Sequence, residues 1–164
     1  CIGVDPYYLT YKSKKEGYNP KIISAGREIN DRFTDFVIRK ALISTKENFK
    51  KTKIKFLILG LTFKENCVDY RNSKSIELIK KLRKLKYFVH CFDPLVNRDE
   101  FNKKHEFKIL EKINSNFYHC CIISVAHNEF KRMGNNKIRK FLVDDGIIFD
   151  VKNTLPKHKD NIYL

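Results

Sequence analysis

Ile54-Lys55-Phe56-Leu57-Ile58-Leu59-Gly60-Leu61-Thr62-Phe63-Lys64-Glu65-Asn66-Cys67-Val68-Asp69-Tyr70-Arg71-Asn72 is the stretch whose reading decides the fold. An apolar run ends at Gly60 and a polar loop follows it. Beyond the loop, Ile76, Ile79, Leu82 and Leu85 recur on one face of a helical pattern with lysines and an arginine opposite. Buried strand, loop and amphipathic helix in that order are the first βα unit of a parallel sheet. Ligands of such sheets lie outside the carboxyl ends of the strands, here at the loop carrying Lys64, Asp69 and Arg71.

A dinucleotide fingerprint, G-x-G-x-x-G, needs three glycines so that the backbone can approach a pyrophosphate. Gly60 stands alone, with Leu61, Phe63 and Lys64 filling the turn. Positive charge for a phosphate would have to come from Lys64 and Arg71 and from backbone N–H groups near Ser73. The competing reading is a solvated ion pair among Lys64, Asp69 and Arg71.

The periodicity spreads outward from this unit. Pro20 to about Lys50 reads as one long helix, with Ile22, Ala25, Ile29, Phe33, Phe36 and Ile43 at three- and four-residue steps. Its roughly 26 helical residues would span roughly 39 Å, which is long for one small domain. The apolar stripe therefore points to a second copy or another domain packed on it, against the plainer reading of a core helix. Before it, Asp5-Pro6 is a helix start with Asp as N-cap and Pro at the first helical position, and Gly17 ends that helix. Cys1 would lie just ahead of this N-terminus, where the dipole favours a thiolate.

Downstream, Tyr87 to Phe92 is a second strand ending at Asp93-Pro94. Asp93 either meets a ribose hydroxyl or caps the turn. A short helix and a weak edge strand at Phe107 to Ile109 follow. His119 to Ala126 is a central buried strand, Asn136 to Val143 a helix, Ile147 to Val151 the last strand, and Pro156 to Leu164 a surface tail. About four strands alternating with helices make an α/β, three-layer Rossmann-like domain with a parallel sheet.

The chain has 164 residues, 42% of them hydrophobic, with 13 Phe and 8 Tyr, which suits a folded globular protein. A formal charge of +15 raises the question of nucleic acid. The lysines are dispersed through helices and loops and form no stripe, and high Lys, Asn and Ile together look like compositional bias, so no nucleic-acid partner is expected. No apolar run approaches a membrane span, and none of the five cysteines has zinc or C-x-x-C spacing. Cys120 and Cys121 read as small core residues, no metal is expected, and a reduced, cytoplasmic compartment is the simplest setting.

Cys1-Ile2-Gly3-Val4-Asp5-Pro6-Tyr7-Tyr8-Leu9 and Ala25-Gly26-Arg27-Glu28-Ile29-Asn30-Asp31 resemble the nucleotide-sugar 6-dehydrogenases, the UDP-glucose/GDP-mannose dehydrogenase family. Gly60-Leu61-Thr62-Phe63-Lys64 with Asp69, Arg71 and Ser73, then Phe92-Asp93-Pro94, Val125-Ala126-His127-Asn128-Glu129-Phe130 and Asp150-Val151-Lys152 continue the likeness in order. The wording is nearest to bacterial UDP-N-acetylhexosamine 6-dehydrogenases of surface-polysaccharide pathways. Two departures are Asn153, where the family commonly has Gly, and Val68, where Pro is frequent.

The resemblance implies an N-terminal NAD-binding domain, a long linking helix and a C-terminal UDP-binding domain. On that plan residues 1–50 are the helical dimerisation region and 51–164 the UDP-binding domain. The NAD domain lies outside the chain, NAD is bound mainly there, and the chain alone is expected to be inactive. The implied reaction takes the C6 alcohol of a UDP-sugar to a uronic acid. Cys1 matches the nucleophile that carries the thiohemiacetal and thioester, and Asp5 the carboxylate that activates or holds water. Phe63, Lys64 and Arg71 match substrate-binding positions, Arg71 either at the phosphates or as a brace of the loop. His127 is expected to cap the turn after its strand. The long helix implies a homodimer. The second function class is a non-catalytic nucleotide-sugar-binding or dimerisation module.

Overall fold

The computed structural model describes residues 4–50 and 53–164. They fall into two compact units, Cys1–Val37 and Ile38–Leu164.

In the first unit, α1 spans Asp5–Lys15. Its N-cap is Val4, at φ −127°, and no side chain caps it. The expected cap, Asp5, is instead the first helical residue, where its charge still faces the positive end of the helix dipole. Gly17 does end the helix, at φ +82°. Tyr18 N–H donates to the Ser13 carbonyl and Gly17 N–H to that of Lys14, a Schellman closure. Arg27 of the next helix lies over the Tyr7 ring and donates to Thr10 Oγ1 at 3.1 Å.

Helix α2 runs without a break through Lys21–Asn48, 28 residues and roughly 42 Å. Most of the stripe read from the sequence is exposed, with Ile22 89%, Ile29 72% and Ile43 54% accessible, and Phe36 is half-buried. The helix buries a different set, Thr34, Val37, Ile38, Ala41 and Thr45. It therefore carries two apolar faces, of which periodicity picked out chiefly the exposed one.

The second unit holds a five-stranded parallel sheet in the order β2-β1-β3-β4-β5. The strands are β1 (Lys55–Leu59), β2 (Phe88–Phe92), β3 (Tyr118–Ile123), β4 (Leu142–Asp150) and β5 (Asn161–Tyr163), with helices α3 (Lys74–Lys84), α4 (Arg98–Lys104) and α5 (Asn128–Arg139) between the first four. Leu57 and Leu59 join Cys121, Ile123, Phe130, Ile138 and Ile148 in one core cluster. Alternation sends Phe56 and Ile58 to the other face, and they are fully buried too. Burial on both faces is why β1 and β3 read as unbroken apolar runs.

Helix α3 is capped by Ser73, whose Oγ accepts from Ser75 N–H at 3.2 Å. It buries Leu78, Ile79 and Leu82, whereas Leu85 is the C-cap and is 55% exposed. The buried stripe is thus shifted from the expected one: the helix ends at its C-cap Leu85, and the chain turns at Lys86 (φ +62°).

Four boundaries differ from expectation. Helix α5 begins at Asn128 rather than Asn136, with a kink at Gly134 (φ 63°, ψ 178°). Leu142 and Val143, expected in a helix, start β4. The Phe107 to Ile109 strand is a single parallel bridge between Ile109 and Cys91. The tail supplies the fifth strand, held by polar side chains: Arg139 donates to Asn161 Oδ1 at 2.8 Å, and Asn161 Nδ2 donates to Asn135 Oδ1 at 2.6 Å. An apolar pattern could not reveal a strand anchored this way.

Candidate functional site

The sheet order places the switch point between β1 and β3, whose following connections leave toward opposite edges, and crevices form there. Gly60 makes the close approach possible. Its φ is +88°, and an added Cβ would lie 2.6 Å from Val125 Cβ and 2.9 Å from Val125 N. Across this contact Ser124 N–H donates to the Leu59 carbonyl at 2.9 Å.

Above these strand ends lies a pocket of about 460 Å³, lined by Phe63, Lys64, Glu65, Ser124, Val125, Ala126 and Lys152. Lys64 and Lys152 bring two ammonium groups to it. Glu65 pairs outward with Lys131 at 3.5 Å, which leaves the pocket net positive. The Phe63 ring is 51% exposed, a flat apolar face beside the charges. Such a set can take a phosphorylated ligand that also has a planar group.

In the sequence Lys152 stands out only as part of the Asp150-Val151-Lys152 motif. Its position is decided by Asp150, fully buried at the end of β4. Asp150 Oδ1 accepts from Lys152 N–H at 3.2 Å and Oδ2 from Leu155 N–H at 2.8 Å. Asn153 sits at φ +52°, a left-handed conformation that Asn tolerates better than most residues. This is the physical basis for an Asn where glycine is common.

The other predicted site residues lie elsewhere. Arg71 is locked onto Asp69 by paired hydrogen bonds, Nε to Oδ1 at 2.9 Å and Nη2 to Oδ2 at 2.7 Å. The side-chain hydrogen bond from Arg71, with its backbone N–H, holds the Asp69 carboxyl down at about 2. Arg71 lines a separate hollow with Tyr70, Asn72, Ser73, Ile76, Glu77, Lys80 and His105. Ser73 is buried, its Oγ donating to the Thr62 carbonyl as well as capping α3, so it is committed to internal bonds. Asp5 is exposed in the first turn of α1. Cys1 lies outside the described residues.

Asp93 and His127 form a buried pair, 3% and 1% exposed. Asp93 Oδ2 accepts from Leu61 N–H at 2.6 Å and meets His127 Nε2 at 3.1 Å, while Oδ1 accepts from Leu95 and Val96 N–H. Of the two readings of Asp93, the turn cap is the one built here. Burial opposes its ionisation, but the bonds from His127, Leu61 and Leu95 outweigh that and hold the carboxyl below its ordinary range. His127 occupies the N-cap position of α5, yet its ring makes no cap bond. It reaches back instead to Thr62 Oγ1 (3.1 Å) and to Asn66 N–H (2.9 Å). Capping is done by Asn66, whose Oδ1 accepts from Asn128 N–H at 2.9 Å.

A profile of the UDP-glucose/GDP-mannose dehydrogenase family, UDP binding domain, matches residues 57–157, from within β1 to past Lys152. The chain belongs to this family. Among curated family members, the UDP-N-acetyl-D-glucosamine 6-dehydrogenases of Salmonella typhi and Pseudomonas aeruginosa are 41% and 36% identical over all of this chain. The chain spans 39% of the length of each. The solved UDP-D-ManNAc dehydrogenase of Pyrococcus horikoshii superposes on 99% of the chain with a TM-score of 0.77 at 25% identity, using 37% of its own length. The five-stranded parallel domain is therefore the part of the chain that this family model describes. Among the described residues, no helix is long and apolar enough to cross a membrane, and no group of three or more His, Cys, Asp or Glu could hold a metal ion.

Proposed function

We propose that the pocket binds the nucleotide of a UDP-N-acetylhexosamine, and that the chain is the UDP-binding part of an NAD-dependent 6-dehydrogenase serving surface-polysaccharide synthesis. The observation that carries this reading is the pairing of Lys64 and Lys152 across the switch point, beside the open ring of Phe63. Two ammonium groups suit a diphosphate, and an exposed aromatic face suits a stacked uracil. The identity to relatives named for UDP-N-acetyl-D-glucosamine supports the sugar class.

In this proposal residues 51–164 hold the nucleotide, and residues 1–50 carry the chemistry and the dimer contact. Cys1 is the nucleophile toward a C6 aldehyde, and Asp5 is the carboxylate that holds the water cleaving the thioester. The β1–α3 turn does not fit NAD: Gly60 is its only glycine and Ser73 at the helix start is internally bonded. NAD is assigned to another part of the dehydrogenase. The four described cysteines are free thiols, in keeping with a cytoplasmic setting.

Titration calorimetry with UDP tests the pocket. Lys64→Ala and Lys152→Ala should each weaken binding by about 10- to 100-fold, the worth of a charge-assisted contact. Arg71→Ala, bound to Asp69 outside the pocket, should change it by less than about threefold. Binding that survives both lysine changes and fails with Arg71→Ala would move the phosphates to the other hollow.

The exposed stripe of α2 supports a two-fold homodimer as partner. Ile29→Asp should shift the chain from dimer to monomer in sedimentation, since an apolar seam cannot take in an unpaired charge. A native chain already monomeric at micromolar concentration refutes it.

A further inference from the structure

We propose that His127 is a positioning residue, whose Nε2–H tautomer clasps the Leu61–Asn66 loop to the start of α5 and thereby sets Phe63 and Lys64 in the pocket. The inference rests on the reading of that pocket as a nucleotide site. At 1% exposure the ring itself meets no ligand.

The partners of the ring assign its tautomer. Asn66 N–H, 2.9 Å from Nδ1, can only donate, so Nδ1 is the bare nitrogen and the proton sits on Nε2. Nε2–H then faces the Asp93 carboxylate at 3.1 Å and the Thr62 oxygen at 3.1 Å. The Thr62 hydroxyl is free to accept, because it gives its own proton to the Lys64 carbonyl at 2.7 Å. One imidazole thus fixes the loop at Thr62, at Lys64 through Thr62, and at Asn66, which bracket Phe63.

Two further features support a clasp over general packing. Asn66 stands at φ +57°, a left-handed conformation that Asn tolerates, and this aims its N–H at Nδ1. The tie is also reciprocal: the side chain of Asn66 caps α5 in place of His127. The histidine at the helix start is spent on the loop, and the loop supplies the cap.

Two near-isosteric variants separate the halves of the clasp. In His127→Asn, Oδ1 stands where Nδ1 stood and still accepts from Asn66, but the donor to Asp93 and to Thr62 is lost. In His127→Gln the amide can still donate toward Asp93, but Asn66 loses its acceptor. Both should unfold at similar, lowered temperatures. UDP affinity should fall about tenfold or more in His127→Gln, which frees Asn66, and by less in His127→Asn, which keeps the Asn66 bond and frees only Thr62. In a Lys64→Ala background, His127→Gln should add less than its loss in wild type, because part of what the clasp positions is already gone. Imidazole 15N shifts should report the Nε2–H form, and the Asn66 amide should exchange slowly in wild type and His127→Asn but fast in His127→Gln. Wild-type affinity in His127→Gln, a fully additive loss with Lys64→Ala, or the Nδ1–H form would overturn the proposal. If wild type fails to bind UDP, the nucleotide reading falls. The Asn66 exchange rates and the Phe63 and Lys64 amide shifts then still decide whether the clasp positions the loop.

Discussion

Gly60→Ala should destabilise the second unit by about 2–4 kcal/mol, seen in urea unfolding as a lowered midpoint at unchanged slope. Two costs add. A left-handed backbone at φ +88° costs a residue with a Cβ about 1–2 kcal/mol. The new methyl group would also press on Val125 Cβ and N at 2.6 and 2.9 Å, and overpacking of this kind costs about 1–3 kcal/mol. The neighbour cannot simply retreat, since Ser124 and Val125 N–H both point at the Leu59 carbonyl. Gly26, with nothing within 4 Å of its added Cβ, is the matched control inside α2. Gly26→Ala should stabilise by about 0.5–1 kcal/mol, because it relieves a helical glycine. Equal effects at the two sites would refute the close-approach argument.

Asp93→Ala should cost about 3–5 kcal/mol. The change strips acceptors from the N–H groups of Leu61, Leu95 and Val96 and from His127 Nε2, all in a buried setting. Asp93→Asn keeps one carbonyl oxygen but turns an NH2 toward a donor, so an intermediate loss is expected. The pH dependence has a definite sign. Because the folded carboxyl titrates below its ordinary 3.8, its contribution is present above that value and is lost as pH falls through the lowered one. Wild type should therefore lose stability on acidification below about pH 4 with a steeper slope than Asp93→Ala. Parallel slopes would show that other carboxylates carry the acid transition.

Lys64 is readable as a candidate ligand residue because it stands on the loop that directly follows an apolar strand, whereas Phe63 enters through the family resemblance. Lys152 occupies the same kind of place after β4, and its position relative to a strand end was the available signal. Arg71 was the harder case. Sequence placed it on the same loop as Lys64, and only the side-chain geometry shows it turned onto Asp69 in a hollow of its own. His127 illustrates the same difficulty, since a histidine at a helix start reads as a cap until its ring is seen at residues 61 to 65 positions away in sequence.

Elements whose formation depends on near neighbours could be read from the chain alone: the β1–loop–α3 unit, the unbroken α2, the buried β3 and the parallel α/β class. Their signals are local, an apolar run of strand length or a repeat of three to four residues. Three matters were decided only in the folded chain. Leu142 and Val143 are strand because β4 pairs with β3 as far down as Tyr118. Asn161 to Tyr163 is strand because Arg139 and Asn135 hold Asn161 beside Ile148. The loop that presents Lys64 is set by a histidine from another strand end and a carboxylate from a third. Each depends on hydrogen bonds between groups far apart in sequence. Such bonds leave no periodicity, because a polar side chain that satisfies a distant buried partner looks, residue by residue, like one that faces water.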